Sequence, residues 1–141
     1  MTTAVDSSVL LAVLKGENGH EAWLDRLEER AAVAPLVACE VVWAEVSAFF
    51  ADPLRLAEAF DLLDVRFDPI GPGASYVAGR AFRAYRDHGG PRRHRIPDFL
   101  VGAHAAHQAE ALLCVDRGFY RRYFRGLRLL GPATARSGRR R

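Results

Sequence analysis

The sequence predicts an α/β layer fold, a three-layer Rossmann-like arrangement with a mainly parallel sheet of about five short strands flanked by helices. Three observations predict it. Short apolar, β-prone runs recur at residues 3–5, 32–34, 65–67, 111–115 and 127–130. Segments of helical periodicity separate most of them, so successive strands are joined by crossovers and pair in parallel. The chain has 141 residues, half hydrophobic and about a quarter charged, enough for one domain with a real core and little room for a second.

Residues 3–5 end at Asp6. Ser7 and Ser8 follow as natural caps, then an apolar run over 9–14, which reads as strand, turn and helix start. Gly16, Asn18 and Gly19 break the chain. Residues 20–30 (HEAWLDRLEER) are amphipathic, with Trp23, Leu24 and Leu27 on one helical face. A second strand is expected over 32–34, stopped at Pro35, and a mostly apolar, buried helix over 38–51. Asp52 as N-cap and Pro53 in the first turn open another helix over 54–63. The third strand, 65–67, ends at Asp68-Pro69, and 71–73 (GPG) reads as a loop. A helix is expected over 74–86, a Gly- and Arg-rich connection over 88–96, and a helix over 97–109 with Pro97 near its first turn. The fourth strand is 111–115, followed by a short turn or helix over 118–124 and a fifth strand over 127–130. One domain over 1–132 is thus expected, with a basic tail over 133–141 that frays.

Composition narrows the function classes. Cys39 and Cys114 both lie in apolar runs, which fits a reduced, cytoplasmic protein better than a disulfide scaffold. No apolar stretch approaches the ~20 residues of a membrane span, and residues 1–6 lack the basic and apolar regions of a secretion signal. The net charge of +3 hides an asymmetry. Residues 1–70 hold 13 acids and 5 bases, a net of −8; residues 71–141 hold 4 acids and 15 bases, a net of +11. All bases but Lys15 are arginine, and arginine forks suit phosphates.

In parallel α/β sheets, ligands sit beyond the carboxyl ends of the strands, which singles out acids that directly follow a strand. Asp6 follows the first and Asp116 the fourth. Asp68 follows the third, but Pro69 after it points to a turn. Glu45 shares its helical face with Val41, Val42, Ala48 and Phe49, and a carboxylate on an apolar stripe is costly to bury unless it is paired, protonated or bound to a metal. Glu40, near the helix start, has an ordinary role as an N-terminal charge. Asp98 lies in the first turn of its helix, just after Arg92, Arg93 and Arg95, and is one of the four acids in the basic half. Carboxylates brought together repel unless a cation neutralises them. Mg²⁺ or Mn²⁺ prefers such oxygen donors, and carboxylate-held divalent metal beside arginines suits phosphodiester hydrolysis.

Four segments in order carry a resemblance: TAVDSSVLLAVL (3–14), LVACEVVWAEVSAFF (36–50), RIPDFLVGAHAAHQAEALLCVD (95–116) and RGFYRRY (117–123). They resemble the PIN-domain ribonucleases, and the size and single-domain layout are similar to the VapC toxins of bacterial toxin–antitoxin pairs. The resemblance implies a PIN-like fold and an acidic site on Asp6, Glu45, Asp98 and Asp116, all four as catalytic residues and metal ligands. Ser7 fills the family's place for a supporting hydroxyl residue. It also implies Mg²⁺ or Mn²⁺ dependence, endonucleolytic cleavage of RNA, a homodimer, and inhibition by a small cognate VapB-type antitoxin. The family commonly has Thr or Ser two residues before its last acid; here that place is Cys114.

Arg86, Arg92, Arg93 and Arg95, with Arg121 and Arg122 behind them, are candidates for the RNA backbone. Phe119, Tyr120 and Tyr123 are assigned to core or dimer packing before base stacking. His104 and His107, joined by His94, are a weak zinc pattern. A receiver-like signalling module with Asp68 as phosphoacceptor lacks a lysine ending a later strand, since Lys15 lies near the start. The alternative that survives is a PIN-like module that binds RNA or protein without catalysis.

Overall fold

A computed structural model describes residues 1–90 and 94–134. Among these lie β1 (Thr3–Val5), α1 (Ser7–Leu14), α2 (His20–Ala31), β2 (Leu36–Ala38), α3 (Glu40–Ser47) and α4 (Pro53–Leu62). They continue as β3 (Val65–Phe67), α5 (Pro72–Asp87), α6 (Ile96–Gln108), β4 (Ala111–Leu113), α7 (Arg117–Tyr123) and β5 (Arg128–Leu130). The sheet order is β3-β2-β1-β4-β5. Every pair is parallel, with Thr3 opposite both Leu36 and Ala111. β1, β2 and β4 are buried throughout, as strands covered by helices on both faces must be. The result is a three-layer α/β fold, as expected, and its sheet is parallel throughout.

The second strand corrects the sequence reading. Residues 32–34 finish the α2 turn, with the Ala34 N–H donating to Arg30 O at 2.9 Å. The strand lies beyond Pro35, which introduces it rather than stopping it. Proline is tolerated at a strand's start because its carbonyl still pairs, and Pro35 O accepts from Thr3 N at 2.9 Å. α3 accordingly begins at Glu40, after Ala38 has paired with Phe67. Pro72 is likewise the first residue of α5 and not part of a loop, where its fixed φ suits the helix and its missing N–H costs nothing.

Asp52 caps α4 by accepting from Arg55 N at 2.9 Å. α5 packs along α6, and Phe99 at the centre of that layer is fully buried among Phe82, Tyr85, Phe119, Tyr123 and Phe124. Gly102 permits this: a Cβ there would run into the Phe124 ring. At the far end of the chain, Ala133 N donates to Ala22 O at 3.0 Å; residues 135–141 of the expected tail lie outside the described residues.

Candidate active site

The chain reverses order beside β1: β2 and β3 lie on one side of it, β4 and β5 on the other. The crevice beyond the strand ends at such a switch point is where open α/β sheets hold ligands. Asp6 leaves β1 there, and its N–H donates to Leu113 O at 2.9 Å at the end of β4. The Asp6 carboxylate does not cap α1; its Oδ2 accepts from Ser8 Oγ at 2.7 Å. Burial pushes the Asp6 carboxyl up to about 6, and the charges of Glu45 and Asp98 push the same way, against the Ser8 hydroxyl and the Ser7 amide.

Glu45 reaches this place from α3, 38 residues away, and its Oε1 accepts from Ser7 Oγ at 2.7 Å. Its burial, however, is not what the apolar stripe led one to expect. Glu45 is exposed, as are Ala48 and Phe49, the latter by 57%. α3 turns Val42 and Val46 to the core instead, and residue 45, three positions on from 42, falls toward the rim of that buried face. Glu40 does more than balance a helix end: its Oε1 accepts from Ile70 N at 2.9 Å and holds the chain leaving β3.

Asp98 serves its helix and faces the site at once. Its Oδ2 accepts from Arg95 N at 3.0 Å, closing the first turn of α6, while its charge is felt at Asp6. Asp116 caps α7, with Oδ1 accepting from Phe119 N at 3.3 Å. Between β4 and Asp116 sits Cys114, wholly buried. Burial first, then the charges of Asp6 and Asp116, push its thiol up to about 12, with Arg117 opposing. The structure thus brings Glu45 and Asp98 within electrostatic reach of Asp6, while Asp116 shares with Asp6 an effect on the Cys114 thiol between them.

Three contributors were not assigned to the acidic site from the sequence, which placed Ser8 as a cap and Tyr120 in packing. Ser8 holds Asp6. Arg117 is a cation whose charge acts on the buried Cys114. Tyr120 is 4% exposed, and burial, then Asp6, Cys114, Asp98 and Glu45, all push its phenol well above the ordinary range. Its spacing of four from Asp116 on one helix is a usable signal, because such residues share a face.

The arginines divide. Arg95 lies exposed at the entry to α6, and Arg121 and Arg122 are exposed in the last turn of α7. Arg86 is exposed on α5, its guanidinium 5.8 Å from the Phe82 ring centre. Arg83 pairs with Asp87 at 3.0 Å on the same face. Arg92 and Arg93 lie outside the described residues. The three histidines go to separate partners. His104, 1% exposed, has Nε2 2.8 Å from Asp68 Oδ2, so Asp68 anchors α6 and does not merely turn the chain. His94 stacks on Phe119, and His107 lies against Gly73.

Among the described residues, no three His, Cys, Asp or Glu side chains form a ready-made metal cage. The donors nevertheless fit a hard cation. They are all carboxylates, burial and then the charges of Glu45 and Asp98 raise Asp6, and Mg²⁺ is commonly held by one or two carboxylates with water filling the remaining positions.

The fold therefore presents acidic side chains at the switch point of a parallel α/β sheet. A family profile described as PIN domain matches residues 3–125, and the chain belongs to the PIN-domain family. No curated protein matches it by sequence. Among solved structures it is similar to VapBC2 from Rickettsia felis bound to a promoter DNA fragment, with a TM-score of 0.73, 16% identity, and coverage of 94% of this chain and 99% of that one. It is also similar to VapBC-1 from nontypeable Haemophilus influenzae, with a TM-score of 0.70, 16% identity, and coverage of 93% and 98%. A third is VapC20 from Mycobacterium tuberculosis, described as a Sarcin-Ricin loop cleaving toxin, with a TM-score of 0.58, 18% identity, and coverage of 89% and 98%. At these identities the likeness is one of fold.

Proposed function

We propose that this protein is a metal-dependent endoribonuclease, the toxin of a type II toxin–antitoxin pair, acting in the cytoplasm as a homodimer and restrained by a VapB-type antitoxin. Membership in the PIN-domain family supports the reading, as do structural neighbours solved as VapBC complexes. The observation that carries it is the position of Asp6, which leaves β1 at the switch point of the sheet beside the end of β4, with its carboxyl raised to about 6 by burial first and then by the charges of Glu45 and Asp98. No helix among the described residues is long and apolar enough to cross a membrane.

In this reading Asp6, Glu45 and Asp98 hold Mg²⁺ or Mn²⁺ directly or through water, and Asp116 completes that site or a second one. The cation's chemistry is to activate water and offset charge at the scissile phosphate. The chain's own work is orientation. Ser8 fixes Asp6, Ser7 fixes Glu45, and the Arg95 and Phe119 amides fix Asp98 and Asp116. Arg86, Arg92, Arg93 and Arg95, with Arg121 and Arg122 behind them, offer guanidinium forks to the RNA backbone. The folded unit is residues 1–132, and the basic tail adds non-specific attraction for RNA.

The test is cleavage of total cellular RNA by purified protein with Mg²⁺, with Mn²⁺ and with EDTA, beside Asp98→Asn. Discrete metal-dependent fragments that vanish in the variant are expected. Folded, antitoxin-free protein that cuts nothing with either metal would favour a binding module instead.

A further inference from the structure

The residues around Asp98 and Asp116 form a unit that reaches beyond the two acids. The His94 ring stacks on the Phe119 ring, with centroids 4.1 Å apart and planes 19° from parallel. Tyr85 meets His94 edge-on at 5.9 Å. His94 Nδ1 is 3.5 Å from Asp98 Oδ2, and the side chain is only 17% exposed. Phe119 holds the other acid as well, since its backbone N–H donates to Asp116 Oδ1. Its ring also packs edge-on against Phe99, the residue after Asp98, at 5.1 Å.

We infer that His94 is a positioning residue whose stack on Phe119 locks the acid-bearing starts of α6 and α7 to each other, so that Asp98 and Asp116 are presented as one pair. The physical argument is connectivity. Asp98 and Asp116 lie on different helices with an entire strand between them, and each is held by a backbone amide of its own helix. Those amides fix each carboxylate to its helix but do not fix one helix start to the other. Phe119 is the residue that touches both: through its amide it holds Asp116, and through its ring it supports His94, which faces Asp98. The ring is the principal contact, because a parallel stack at 4.1 Å is a close packing distance while 3.5 Å is loose for a hydrogen bond. Partners behind metal-binding groups commonly change metal affinity or activity by about 10–100-fold.

The inference rests on the nuclease reading for its activity arm and is independent of it for its structural arm. His94→Ala removes the stack; His94→Phe keeps an aromatic ring on Phe119. Without metal, hydrogen exchange at the amides of residues 98 and 119 should quicken together in His94→Ala and return to near wild type in His94→Phe. In Mn²⁺ titrations followed by thermal shift, His94→Ala should need about tenfold more Mn²⁺, with His94→Phe recovering most of the loss. Under saturating metal, kcat for RNA cleavage should fall about tenfold in His94→Ala while KM stays within about threefold, and His94→Phe should again recover most of it. Exchange at residue 119 unchanged in His94→Ala, or His94→Phe as impaired as His94→Ala, would overturn the inference. If the wild type neither binds Mn²⁺ nor cuts RNA, the nuclease reading fails, and the exchange experiment still decides the role of His94.

Discussion

Ser7 and Glu45 are joined by a 2.7 Å hydrogen bond across 38 residues of chain. The bond ties the first turn of α1 to α3, and so ties the residue after Asp6 to a second acid of the same crevice. Because it is solvent-exposed, its loss should cost about 1 kcal/mol or less in stability. Ser7→Ala should therefore leave the melting temperature nearly unchanged while RNA cleavage falls about tenfold as Glu45 loses its fixed orientation. Melting curves beside initial cleavage rates check both halves.

Asp6 makes the metal-free protein sensitive to pH. Its folded value of about 6 lies above the ordinary 3.8, so the folded chain holds the proton more tightly than the unfolded one. Its contribution to stability is then full below pH ~4 and is lost as the pH rises through ~6, by at most about 3 kcal/mol. Denaturant melts of metal-free protein between pH 4 and 7 should show this slope, and Asp6→Asn should flatten it. An Asp6→Asn slope equal to that of the wild type would show that the charge is not under this strain.

The two cysteines should be silent in the native state. Both are buried, burial raises both thiols, and Cys114 reaches about 12. Nucleophilic attack needs the thiolate. A disulfide-exchange reagent should therefore label neither residue in native protein and both after unfolding. Rapid native labelling of Cys114 would mean that the floor beneath Asp6 and Asp116 is open to solvent.

Asp68 and His104 should matter for stability rather than chemistry. His104 is almost wholly buried with its Nε2 on Asp68, and Gln108 Nε2 donates to the same oxygen at 3.2 Å. Asp68→Ala leaves a buried imidazole without its partner, at a cost of about 1–3 kcal/mol. Chemical denaturation should register that loss, with no change in the Mn²⁺ requirement of the remaining folded protein.

Gly102→Ala tests the aromatic layer. A methyl group there meets the Phe124 ring, and forcing atoms into a packed core costs about 1–3 kcal/mol. Calorimetry should show a lower melting temperature, and Gly102→Ala combined with Phe124→Leu should recover part of it.

The strand–acid–serine pattern at residues 3–8 was legible because each part is local: an apolar run, then capping residues. The same holds for β3, whose bounds were read without error, and for the Asp52-Pro53 start of α4. β2 was misread because Pro35 looks like a stop signal when the strand's partners are unknown. Its carbonyl is useful only once the Thr3 N–H lies opposite to donate to it. Glu45 was singled out for a burial it does not have, since periodicity lists the residues on a helical face without saying which face meets the core.

The sequence by itself determined the alternation of strands and helices, the chemical nature of the candidate donors, and the positions of Asp6 and Asp116 just past strands. Those depend on spacing within a few residues. Tertiary structure alone decided that Glu45 meets Ser7, that Tyr120 and Cys114 lie among the acids, that Asp68 clamps α6, and that His94 rests on Phe119. Each joins segments far apart in the chain, and such pairings follow from strand order and helix packing, which local periodicity does not encode.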